Sequence, residues 1–128
     1  MEPLTLIKLD ELELRRRADL TSTDQCRYWR VYTPKENYHF SETNRLIQNF
    51  KISPQEKHRL THKKAAIDQI AYEFMQIIPD PVYQNFTFVP MPPSKPLNHP
   101  EYDDRLIQVL KQVQKEKRNL DFRILIKQ

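Results

Sequence analysis

Ser94, Lys95 and Arg105 are the residues whose types and spacing best suit one chemistry, the holding of an anion. A hydroxyl, a point charge and a planar guanidinium all donate hydrogen bonds to phosphate oxygens. Ser94 and Lys95 lie in the proline-rich run Pro90-Met91-Pro92-Pro93-Ser94-Lys95-Pro96. The following Asn98-His99-Pro100-Glu101 reads as a helix start, with Asn as the cap and Pro inside the first turn. Free N–H groups and the macrodipole at such a start favour negative charge. Arg105 then lies one turn into the helix. Pro93 and its neighbours stiffen the loop, so less entropy is lost on binding. The competing reading is a rigid connector whose Lys95 points to water.

Other reactive residue types carry less. Asp103-Asp104 are adjacent, so on a helix they diverge and do not converge on one metal ion. Their plainer role is favourable acidity in a first helical turn. His58 and His62 share a helix face, half of a zinc site, but no further ligands accompany them. A solvated surface suits them better, and no metal site is expected. Cys26 has Arg27 beside it, which favours a thiolate, but no base can be assigned. Tyr28, Trp29 and Tyr32 have the faces to stack bases, although strand packing is the commoner use. No catalytic residue emerges.

Composition narrows the classes further. Glycine is absent from the 128 residues, while Pro occurs 10 times. Glycine-rich phosphate loops of the Rossmann and P-loop kinds are therefore excluded from this stretch. The balance of 38% hydrophobic and 30% charged residues is that of a globular domain. One cysteine permits no internal disulfide, which suits a reducing compartment. No apolar run is long enough to span a bilayer. Met1-Glu2-Pro3-Leu4 does not open a signal peptide. A soluble, cytoplasmic protein with no membrane partner is expected.

The net charge of +4 is mild but uneven. Lys57, Arg59, Lys63 and Lys64 form a basic patch expected on exposed helix positions, and Lys111, Lys115, Lys117 and Arg118 form a second cluster. Such patches attract nucleic acid or acidic proteins without specifying which.

The elements that must position these residues follow from local signals. Leu4–Ile7 reads as a short strand and Leu12–Ala18 as a helical turn. Tyr28–Thr33 reads as a strand. Ser41 caps a short helix to about Phe50 that buries Leu46, Ile47 and Phe50. Ser53-Pro54-Gln55-Glu56 is a capping box for a long helix that stops before Pro79. Asp80-Pro81 marks a linker or turn. Phe86–Val89 reads as a buried strand and Phe122–Ile126 as another. Between them, Tyr102, Leu106, Val109, Leu110 and Val113 give a helix of about 18 residues one apolar face. Strand, helix and strand make a βαβ unit with parallel strands. Residues 1–52 form a lead-in and residues 53–128 the helix plus βαβ core, together one domain.

A two-stranded parallel sheet leaves both edges unpaired. More sheet is expected from a missing carboxy-terminal half, a partner subunit or the amino-terminal strands. As a structural subunit, the chain would dock by that edge.

Phe86-Thr87-Phe88-Val89-Pro90-Met91-Pro92-Pro93-Ser94-Lys95 and Tyr102-Asp103-Asp104-Arg105-Leu106 resemble the phosphoribosyltransferase-like proteins related to the competence-type group. Asp24–Tyr28, Tyr32-Thr33 and Ser41–Lys51 resemble the region preceding that strand in the same proteins, so the resemblance spans about residues 20–128. It implies an incomplete phosphoribosyltransferase-like (Rossmann-like) α/β fold. It also implies that the loop matched by Pro93, Ser94 and Lys95 contacts pyrophosphate, with Arg105 assisting. Active members carry a later strand ending in two acids and a Thr- and Gly-containing loop, which these residues lack. The resemblance thus implies phosphoribosyl pyrophosphate and Mg²⁺ as ligands of a completed site, and no transferase activity from this chain alone.

Overall fold

The computed structural model describes residues 4–17, 19–21 and 23–126. Met1–Pro3, on which the absence of a leader was read, and Ala18, the expected end of the first helical turn, lie outside them. The chain orders as β1 (Ile7–Lys8), α1 (Glu11–Arg15), β2 (Arg27–Tyr28), α2 (Glu42–Phe50), α3 (Leu60–Ile77), α4 (Asp80–Asn85), β3 (Thr87–Phe88), α5 (Arg105–Glu116) and β4 (Asp121–Phe122). This is a mixed helix-and-strand protein with small sheets. β1 pairs antiparallel with β2, and β3 pairs parallel with β4, Thr87 opposite Asp121 and Phe88 opposite Phe122.

The βαβ reading therefore stands, with shorter strands. Pro90, Pro92 and Pro93 lack the N–H that a ladder needs, so β3 cannot extend. Arg123 N still donates to Phe88 O at 3.0 Å, and pairing ends there. Phe86 and Val89, expected to be buried, are 63% and 39% exposed. The amino-terminal strands are also shorter than expected. Past Tyr28 the chain leaves β1, because Trp29 and Arg30 turn to Glu73 and Thr33 to Asn44.

α2 forms as its cap foretells. Ser41 Oγ accepts from Asn44 N at 2.9 Å, and Leu46 and Phe50 are buried, while Ile47 is only half-buried. The Ser53 capping box does not form. Ser53 O accepts from Glu56 N and Ser53 Oγ from Gln55 N, which closes a tight turn. A 3₁₀ turn over Lys57–Arg59 follows, and α3 begins at Leu60. Ile52, just before the tight turn at Ser53, is 3% exposed, and its carbonyl accepts from Lys63 Nζ. α3 ends before Pro79 as expected. Asp80-Pro81 opens α4 rather than a linker, since Pro is pre-organised for a first helical turn.

The expected start of α5 also moves. His99 N donates to Pro96 O, Tyr102 N to His99 O and Glu101 N to His99 Nδ1. Those bonds fix a turn where the helix was expected, and α5 begins only at Arg105. α3 lies at the centre, packed against α2 and α5. One core joins Leu46 and Phe50 of α2, Ala66, Ile67, Ile70 and Ala71 of α3, Tyr83 of α4, and Val109, Leu110 and Val113 of α5. Phe88 and Phe122 close it from the sheet. The lead-in and the βαβ unit share this core.

Candidate anion-binding site

The loop after β3 and the approach to α5 meet the chain just past α2. Between them lies a recess of about 180 Å³ lined by Lys51, Ser53, Pro54, Pro93, Ser94, Lys95, Glu101, Asp103 and Arg105. All four phosphate-contact candidates, Pro93, Ser94, Lys95 and Arg105, thus come together. Lys51, Ser53, Glu101 and Asp103 join them, none of which was a phosphate-contact candidate. Lys51 was detectable as the cation directly after a capped helix. The others arrive only through the turns described above.

The charges are unequal in freedom. Arg105 Nη1 lies 2.8 Å from Asp103 Oδ2, and its guanidinium stacks over Phe50 at 5.5 Å. Lys51 Nζ lies over the Tyr32 ring at 5.6 Å. Lys95 is exposed and, among the described residues, carries no hydrogen bond or ion pair. Three cations thus face two carboxylates around the recess. The helix-terminus contribution expected from the sequence is reduced. Asp103 Oδ1 already accepts from Arg105 N at 3.1 Å, which takes one amide of that turn from an anion.

Asp103 is itself held. Lys63 Nζ donates to Asp103 Oδ2 at 2.7 Å, to Phe50 O at 2.8 Å and to Ile52 O at 2.7 Å. Lys63 is 4% exposed, which corrects its place in the basic patch. It shares the buried face of α3 with Ala66, Ile67 and Ile70, and its ammonium lies beneath the Phe50–Ile52 bend. Asp103 likewise precedes α5 and does not serve as a first-turn acid. Of the remaining patch residues, Arg59 lies 3.4 Å from Glu56 and Lys64 2.6 Å from Asp68. Lys57 is exposed.

The minor candidates disperse. Trp29 Nε1 donates to Glu73, and its ring meets Phe74 edge-on, so it is packed rather than free to stack bases. Cys26 is half-buried, and its carbonyl accepts from Leu9 N. His58 and His62 are exposed, and no group of three or more metal-ligating side chains occurs among the described residues. No described helix is long and apolar enough to cross a membrane.

No protein-family model, curated protein or solved structure matches this chain.

Proposed function

We propose that this chain is the amino-terminal part of a phosphoribosyltransferase-like domain whose recess takes the pyrophosphate of a sugar phosphate. The carrying observation is the meeting of Lys95, Ser94, Arg105 and Lys51 around one recess lined by the loop that follows a parallel strand. Ligands of open α/β sheets bind in that position, beyond the carboxyl ends of strands. In this reading Lys95 meets the anion first, Ser94 donates its hydroxyl, and Arg105 adds a guanidinium already oriented by Asp103. Mg²⁺ would enter on the phosphate oxygens, which suits a cation that keeps few protein ligands. Glu101 is the carboxylate available to it, because Asp103 is engaged by Lys63 and Arg105.

Catalysis waits on a Thr- and Gly-containing ribose-phosphate loop from a partner element. That element pairs with the free edge of β3, beside exposed Phe86 and Val89. The basic-module alternative is weaker, with Lys63 buried and Arg59 and Lys64 paired.

A ³¹P NMR titration with millimolar pyrophosphate tests the reading on this chain directly. Saturable binding is expected, weakened about tenfold by Lys95→Ala, the low end for a hydrogen bond to a charged group. Lys111→Ala, on the exposed side of α5, should leave it unchanged. A flat titration, or equal binding by the Lys95→Ala chain, would remove the proposal.

A further inference from the structure

On the other side of the Pro93–Lys95 bend lies a second recess, of about 300 Å³. It is walled by Met91, Leu97, Ile107, Ile124 and Ile126 together with the loop prolines and Tyr102. This is an ordinary size for a small-molecule site. Pro93 and Lys95 line both recesses. A third, of about 110 Å³, shares Met91, Pro92 and Ile107 with the apolar recess, and Ser94, Asp103 and Arg105 with the anion recess. The three together flank one stiff loop, cationic at one end and hydrocarbon at the other.

The apolar wall is exposed where a buried core would be expected. Met91 is 69% exposed, Leu97 78%, Ile124 46% and Ile126 47%. Ile124 and Ile126 line the recess while Leu125, between them, does not. Alternate residues of an extended segment thus present their side chains to one place. Apart from Lys95 and Tyr102, the side chains lining this recess are apolar. It therefore suits an alkyl or aryl surface better than a hydrogen-bonding group.

We infer that the site takes an amphipathic phosphate ester, its phosphate at Lys95 and Arg105 and its hydrocarbon in the recess of Met91, Leu97, Ile107, Ile124 and Ile126. The inference rests on the phosphate contacts proposed above, and gives the phosphate a hydrocarbon substituent in place of the sugar. Charge at one end and apolar surface at the other fix the ligand's direction. Lys95 lines both recesses, and a lysine suits that junction because its stem is hydrocarbon and its head an ammonium.

Calorimetry with inorganic phosphate, then ethyl, butyl and hexyl phosphate, and the matching alcohols, tests it. Affinity for the esters is expected to rise about fourfold per buried methylene until the recess fills. Leu97→Gln and Ile124→Gln, both at exposed positions, should abolish that rise and leave inorganic phosphate binding intact. Circular dichroism of both variants should match the parent chain. Esters that bind no better than inorganic phosphate overturn the inference and leave the phosphate reading standing. Alcohols that bind as well as their esters overturn the phosphate reading, and the amphipathic ligand with it. Sedimentation velocity supplies the last arm. A dimer that Ile124→Gln dissolves would assign the recess to a second copy of the chain, and a monomer in both cases agrees with a ligand site.

Discussion

Replacing Glu73 by Ala is expected to destabilise the chain by about 3–5 kcal/mol, the cost of breaking a buried ion pair from one side. The Glu73 side chain is 1% exposed and that of Arg30 16%. Oε1 accepts from Arg30 Nε at 2.6 Å and from Trp29 Nε1 at 3.0 Å. Oε2 accepts from Arg30 Nη2 at 2.9 Å and from Gln69 Nε2 at 2.7 Å. Arg30 Nη1 continues to Thr43 Oγ1 at 2.8 Å, so one carboxylate ties α3, the segment after β2 and α2 together. Its removal strands a guanidinium and an indole N–H beside a new void. Urea denaturation of the parent and Glu73→Ala chains measures the cost, and a loss below about 1 kcal/mol would refute this account.

The same carboxylate sets a pH dependence. Burial pushes the Glu73 carboxyl up, but hydrogen bonds from Arg30, Gln69 and Trp29 outweigh it and hold it below the usual glutamate value. A carboxyl that is more acidic folded than unfolded adds stability above its unfolded value. That stability is lost as pH falls through the folded one. The contribution is therefore complete at neutrality and fades below about pH 4. Stability of Glu73→Ala should fall less steeply than the parent's across that window.

Lys63→Met is the second large effect, again about 3–5 kcal/mol, and it bears on the site. A lysine ammonium has three protons. Here they go to Phe50 O, Ile52 O and Asp103 Oδ2, so the substitution leaves two carbonyls and a largely buried carboxylate short of donors. Asp103 also holds Arg105 through both its oxygens. Loosening it should weaken pyrophosphate binding as well as folding, although Lys63 does not line the anion recess. A double-mutant cycle with Asp103→Asn separates the parts, with an expected coupling of about 1–3 kcal/mol. Additive single effects would deny the Lys63–Asp103 link. Unchanged pyrophosphate affinity in a folded Lys63→Met chain would deny that it positions Arg105.

Much of the architecture was legible because its signals are local. Ser41 can satisfy the first turn of α2 from its own side chain, and it does. Pro79 stops α3 because the residue before a proline leaves the helical region. The apolar spacing through Val113 and the two flanking aromatic segments announced a parallel βαβ unit. Ser94, Lys95 and Arg105 lie within the one connection from β3 to α5, so their nearness was legible, although a turn at His99 and not a helix start at Asn98 brings them together.

The two misread charges share one cause. Charged side chains are rarely fully buried, so Lys63 was taken for surface and Glu73 drew no notice. Yet Lys63 stands on the stripe of Ala66, Ile67 and Ile70, and Glu73 follows Ile70 by three residues, so helical spacing held a hint of both. Only their partners make such burial affordable, and those partners come from elsewhere in the chain. Arg30 lies 43 residues from Glu73, and Asp103 lies 40 from Lys63. The starts of α3 and α5 moved for a related reason. At Ser53 and His99, hydrogen bonds of tight turns took up groups that would otherwise have opened a helix. Capping, proline placement and apolar periodicity act within a few residues and are written in the chain. The pairing of buried charge depends on which distant segments meet, and only the assembled core decides that.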